Sequence, residues 1–143
     1  FHLRNIAKIR NMMSLQDAEK LVHAFVTSRL DYCNALLSGC ANKCINKLQL
    51  VQNAAARVLT RSRKYDHITP VLISLHRLPI KSRIDYKILL LTYNTLNRLA
   101  PQYLNLSLIK PQLWNSLPIS VRDSDTVSVF KSRLKTYLFS QAF

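Results

Sequence analysis

The residues of this sequence best suited to chemistry are three cysteines, four histidines and a large set of lysines and arginines. Cys33, Cys40 and Cys44 lie close together, but they are odd in number and lack the paired short spacings with which zinc ribbons and knuckles close a tetrahedral site. They read as reduced thiols. His23 reads as a structural residue on a mixed helix face, so no metal and no other cofactor is expected. His67 and His76 bracket Pro70, with Asp66 beside the first of them. A general base needs an oriented nucleophile or carboxylate, and Asp66 alone does not make such a set. The spacings of a nucleophile elbow, a phosphate loop or a carboxylate pair are also missing. No catalytic residue is assigned, and an independent enzyme is not expected.

The basic residues carry a stronger pattern. Twenty-one Lys and Arg face seven Asp and Glu, a formal charge of +14, and such a field attracts polyanions in a salt-dependent way. Lys43, Lys47, Leu50, Ala54, Arg57, Arg61 and Lys64 follow one another at spacings of three or four. The bases therefore share one stripe provided that the helix runs on past Thr60. No acid lies between Asp31 and Asp66 to neutralise it. The plain alternative is a solvated helix face. The sharper reading is a ridge that meets phosphates, with Lys43, Lys47, Arg57, Arg61, Arg63 and Lys64 contacting an RNA or DNA backbone without reading sequence. No apolar run reaches the roughly 18 residues that span a bilayer, and no secretory signal opens the chain. A membrane partner is accordingly not expected, and the location is expected to be intracellular, in nucleus or cytoplasm.

These side chains must be positioned by helices. A single glycine, Gly39, serves the whole chain, and hairpin turns depend on the positive φ that glycine supplies, so a β-rich fold is improbable. The predicted class is all-α, an irregular bundle of about five to six helices. Leu3, Ile6, Ile9 and Met13 mark a first helix; its opening residues already read as mid-helix, so the sequence is expected to be cut from something longer. Ser14 followed by Asp17 predicts a cap for a second helix from Leu15, whose stripe Ala18, Leu21, Val22, Phe25 and Val26 extends in this reading through Tyr32, Leu36 and Leu37 to a stop at Gly39. Asn42 is the expected cap of a third helix from Lys43 to about Thr60, with Ile45, Leu48, Val51, Ala55, Val58 and Leu59 facing the core.

A short helix from Pro70 to Leu75 follows, and then a long one from Pro79 to about Leu99, apolar through Ile84, Ile88, Leu89, Tyr93 and Leu96 and ended by Pro101. Gln102 to Pro118 reads as loop, with Leu113, Trp114 and Leu117 packing as one turn and Trp114 as a core anchor. Asp123 to Asp125 supply caps for a terminal helix that turns Val127, Phe130, Leu134, Tyr137 and Leu138 inward and Lys131, Arg133 and Lys135 outward.

The run Ala18-Glu-Lys-Leu-Val-His-Ala-Phe-Val-Thr-Ser-Arg-Leu-Asp-Tyr-Cys-Asn34 resembles jockey-type (LINE-like) non-LTR retrotransposons. The resemblance continues, in order, through Lys47–Arg57, His67–Pro70, Leu75–Ile80, Ile84–Tyr93, Leu99–Leu104, Leu113–Pro118 and Val129–Lys135. It implies the thumb and helical extension that follow the polymerase palm of a reverse transcriptase polyprotein. In outline, residues 1–104 would be the thumb-like and post-polymerase segment, and residues 105–143 a shortened joint with the terminal helix, together forming one structural unit. The implied role is non-catalytic: a fragment that grips template and primer by their backbones. The parent polyprotein would be an RNA-directed DNA polymerase, but its paired metal-binding aspartates have no counterpart here, since no two Asp are adjacent.

Two places depart from the family pattern. Arg77 stands where the family usually has Trp, a loss that costs on the order of 3–5 kcal/mol if the position is in the core. Asn105 to Gln112 replaces a longer Gly-, Ser- and Arg-rich segment. Both fit an alternative, a decayed retroelement relic with no selected activity. A third alternative is a helical interaction module that docks a partner groove through Phe130, Leu134 and Leu138.

Overall fold

The computed structural model describes residues 1–101 and 110–143. Among the described residues the regular elements are all helical, and the predicted all-α class is borne out. The expected loop over 102–109, including Tyr103 and Leu104, lies outside the described residues. The chain divides into two compact units, Phe1–Ile80 and Lys81–Phe143.

In the first unit, α1 (His2–Ile9) runs into a tighter 3-10 turn at Arg10–Met12. Ser14 then caps α2 (Leu15–Val22) as its spacing predicts: the Asp17 backbone N–H donates to Ser14 Oγ at 3.2 Å, and Ser14 Oγ–H donates to Asp17 Oδ2 at 2.7 Å. The second helix does not reach Gly39. It widens into a π-helical turn at His23–Thr27, resumes as α3 (Ser28–Asp31) and stops, because Tyr32 is extended and Cys33 is left-handed at φ +50°. Tyr32 and Leu36, expected on the apolar stripe, are consequently exposed. Asn34–Leu37 form a 3-10 turn, and Gly39 takes φ +92° in the bend before the next helix.

α4 (Asn42–Thr60) is the longest helix of this unit at 19 residues, about 28 Å. Asn42 is its first residue rather than its cap; Ala41 occupies the cap position without a side-chain bond. Its buried face is Gln52, Ala55, Ala56 and Leu59, whereas Val51 is exposed. Ala55 and Leu59 are buried as expected, but Gln52 takes the place of Val51 on this face: its Nε2 donates to the Leu78 carbonyl at 2.8 Å, while its Oε1 is buried without a partner. One turn earlier, Gln49 Oε1 accepts the Ile80 N–H at 2.8 Å. Two glutamines thus clamp the Leu78–Ile80 link, which otherwise leaves backbone groups unpaired. The core of the unit joins Ile6, Ala18, Val22, Val26, Ala55 and Leu59, flanked by Leu3, Met13, Leu21, Leu30, Val58 and Leu75. Against it lies α5 (Ile68–Ser74).

Among the described residues, three helices besides α3 end on a left-handed residue that is not glycine: Arg61 after α4, His76 after α5 and Arg98 after α6 (Ile80–Leu96). In each, the next residue's N–H reaches back five residues: Ser62 to the Arg57 carbonyl, Arg77 to Leu72 and Leu99 to Asn94, at 3.2, 2.9 and 2.8 Å. These are Schellman turns, and they end α6 well before Pro101. Arg77 is half-buried; its Nη1 donates to Thr27 Oγ1 at 2.9 Å.

In the second unit, Ile84, Ile88, Leu89 and Tyr93 of α6 are buried as expected, while Leu96 is exposed. Leu113 and Trp114 lie on α7 (Pro111–Asn115), followed by α8 (Ile119–Arg122) and α9 (Val127–Ala142). The cap of α9 is Thr126, whose hydroxyl oxygen accepts the Val129 N–H at 3.3 Å. Asp123 is held instead by the end of α8, its N–H donating to the Ile119 carbonyl. The Phe130 ring stacks on Tyr93 at 4.1 Å, with Trp114 at 6.0 Å, and Phe130 and Leu134 are sealed from solvent. Burying each such side chain stabilises by about 1.5–3 kcal/mol. The face of α9 offered to a partner in the interaction-module alternative is thus buried, Leu138 included.

Candidate nucleic-acid interface

Helix geometry sorts the six predicted contacts into two groups. Lys43 and Lys47 stand one turn apart on the first part of α4, both exposed. Arg57 lies ten residues beyond Lys47, about 15 Å along the axis; exposed Leu50 and half-buried Ala54 fill the interval. The ridge is therefore two cationic patches on one helix. The condition attached to its far end is not met, since α4 stops at Thr60 and the chain turns left-handed at Arg61. Lys64 leaves the stripe for the following turn.

That turn has its own order. The Asp66 carboxylate accepts the Arg63 N–H at 2.6 Å, and the Asp66 N–H donates to the Arg63 carbonyl at 3.2 Å. Lys64 Nζ lies 5.7 Å from the centre of the Tyr65 ring, within cation–π range. Arg63, Lys64 and Tyr65 are all exposed. From Tyr32 to Arg77, Asp66 is the single acid.

Arg57 and Arg61 are tied to the fold as well as facing out of it. Arg57 is half-buried, with Nη2 donating to the Asp66 carbonyl at 3.2 Å. Exposed Arg61 sends Nη2 to the Arg10 carbonyl at 3.2 Å. Arg10 is a member of this cluster that the stripe argument missed. It is 8 % exposed, donates Nε and Nη2 to the Leu59 carbonyl at 3.2 and 2.8 Å, and donates Nη1 to the Met13 carbonyl at 2.9 Å. A buried cation is tolerated there because the last carbonyls of α4 are the negative end of its dipole. The signal was present in the sequence: Arg10 falls four residues after Ile6 and three before Met13, on the apolar face of the first helix.

The remaining candidates stay apart. Cys33, Cys40 and Cys44 are exposed free thiols, and among the described residues no cluster of His, Cys, Asp and Glu has the arrangement to hold a metal ion. Among the same residues no helix is long and apolar enough to cross a membrane. No family model, no curated protein and no solved structure matches the chain.

Proposed function

We propose that this chain is a non-catalytic accessory fragment that grips the backbone of RNA or DNA, as the resemblance to the post-palm region of non-LTR reverse transcriptases implies. One observation supports this most: five exposed cations, Lys43, Lys47, Arg61, Arg63 and Lys64, with half-buried Arg57, lie on α4 and its following turn opposed by a single carboxylate. Point charges spread over a helix and a turn suit repeated phosphates and carry no base readout.

The test is a salt titration of binding to short RNA, DNA and hybrid duplexes. The comparison is a variant in which Lys43, Lys47, Arg63 and Lys64, whose side chains donate no hydrogen bond that holds the fold, are changed to Gln. With four phosphate contacts removed, the log–log salt slope should fall by about 3–4, at about 0.9 per contact on B-form DNA. A folded wild type that binds none of the duplexes at low salt would remove this reading and favour the relic alternative.

A further inference from the structure

Between the end of α1 with its 3-10 turn and the end of α4 lies an open concavity of about 270 Å³, lined by Arg10, Asn11, Arg57, Arg61 and Ser62 with Val58 as its apolar wall. Pockets for drug-sized ligands run from roughly 300 to 1,000 Å³, so this one suits a smaller group. Three guanidiniums converge on it, and the partners described for them are backbone carbonyls rather than carboxylates. The negative groups against them are the end of the α4 dipole, worth about half a charge, and the Asp66 carboxylate, which accepts the Arg63 N–H in the following turn. Arg10 already covers the Leu59 carbonyl, and the Ser62 N–H covers that of Arg57. Three positive charges outweigh the dipole end and the carboxylate together. Arg57 adds an observation of a different kind: its Nε is buried without a hydrogen-bond partner. A guanidinium denied water and an acceptor at one nitrogen is poorly neutralised, and an anion beside it lowers that cost.

We propose that this concavity is a seat for one phosphate group, which under the reading above, on which the proposal rests, belongs to a nucleic-acid backbone. Arg57 and Arg61 hold the phosphate oxygens, Asn11 and Ser62 are neutral donors at its edge, and Arg10, locked on Leu59, is a fixed charge behind them. The planar fork of arginine matches two oxygens of one phosphate, which a lysine ammonium meets only as a point charge. The seat therefore differs from Lys43 and Lys47 in kind: it fixes the register of the bound strand, whereas the lysines only attract it.

The full chain would be titrated with inorganic phosphate and, separately, with acetate at constant ionic strength, following the Arg61 Nε–H and the Ser62 amide by NMR. A saturating shift with phosphate and none with acetate is expected. Arg61→Lys keeps the charge and loses the fork, so duplex affinity should drop roughly tenfold or more, the size of one charge-assisted hydrogen bond, with little change in salt slope. Lys43→Arg should leave affinity nearly unchanged. Arg61→Gly guards against misfolding as the cause: glycine suits the left-handed position, which offsets the lost bond to the Arg10 carbonyl, so the melting temperature should hold while the phosphate shift at the Ser62 amide disappears. If Arg61→Lys binds duplex like the wild type, or phosphate gives no saturating shift, the seat is overturned and the backbone grip stands on the lysines alone. If phosphate saturates at Arg61 but no duplex binds, the grip reading falls and the seat belongs to free phosphate esters.

Discussion

Tyr93 makes two kinds of contact with one side chain: its ring stacks on Phe130, and its buried hydroxyl donates to the Ser124 carbonyl. Tyr93→Phe keeps the first and leaves a buried acceptor short of a donor, so it should cost about 1–3 kcal/mol in denaturant unfolding. Asp85 shows the reverse situation. Burial raises its carboxyl above the ordinary value of 3.8, and Lys81 and Lys110 offset this only in part. The folded state then holds a proton that the unfolded state releases, so stability falls as pH rises from 3.8 through the raised value. Asp85→Asn should flatten that decline and leave stability at lower pH unchanged, which thermal melts across the acid range would read. Asp17 has the opposite sign: the Ser14 hydroxyl and then Lys20 hold its carboxyl low, so its contribution is present above the ordinary range and lost as pH falls. Legibility at this scale followed locality. The Ser14–Asp17 pair spans one turn and could be read directly, whereas Arg10 finds its carbonyl 49 residues away, a distance that no spacing rule covers.

Elements were legible wherever apolar period and local caps agreed. The start of α2 at Leu15, the end of α4 at Thr60 and the spans of α5 and α9 all fall close to the predicted ones. The reading failed where a polar residue is buried or a non-glycine turns left-handed. Gln52 displaced Val51 from the core face, and Cys33 stopped a helix that the apolar residues alone would have continued. The candidate site shares this split: its cations were identifiable by type, but their common stripe ended at Arg61 because side-chain spacing says nothing of φ. The left-handed caps are a stability reserve. A side-chain-bearing residue there costs roughly 1–2 kcal/mol relative to glycine, so Arg98→Gly should raise stability by about 1 kcal/mol, offset in part by the freer unfolded chain. A rise in denaturation midpoint at constant slope would register it.

For the whole molecule, a charge of +14 acts on folding and on binding with opposite signs. Self-repulsion among 21 cations opposes the compact state and is relieved by salt, while attraction to phosphates is weakened by the same ions. Raising sodium chloride from 50 to about 300 mM should raise the melting temperature of the free chain and lower its duplex affinity over the same range; a melting temperature that falls would mean that favourable ion pairs dominate instead. The π-helical turn at His23–Thr27, where the Ser28 N–H reaches back to the His23 carbonyl, bears on how this chain tolerates changes in length. A π turn holds one residue more than an α turn can accommodate. Deleting one residue between His23 and Thr27 would let the helix close as continuous α, with everything before and after it in its present orientation. The same deletion within α4 would rotate one end of the helix by about 100° against the other and scatter both the core stripe and the cationic face.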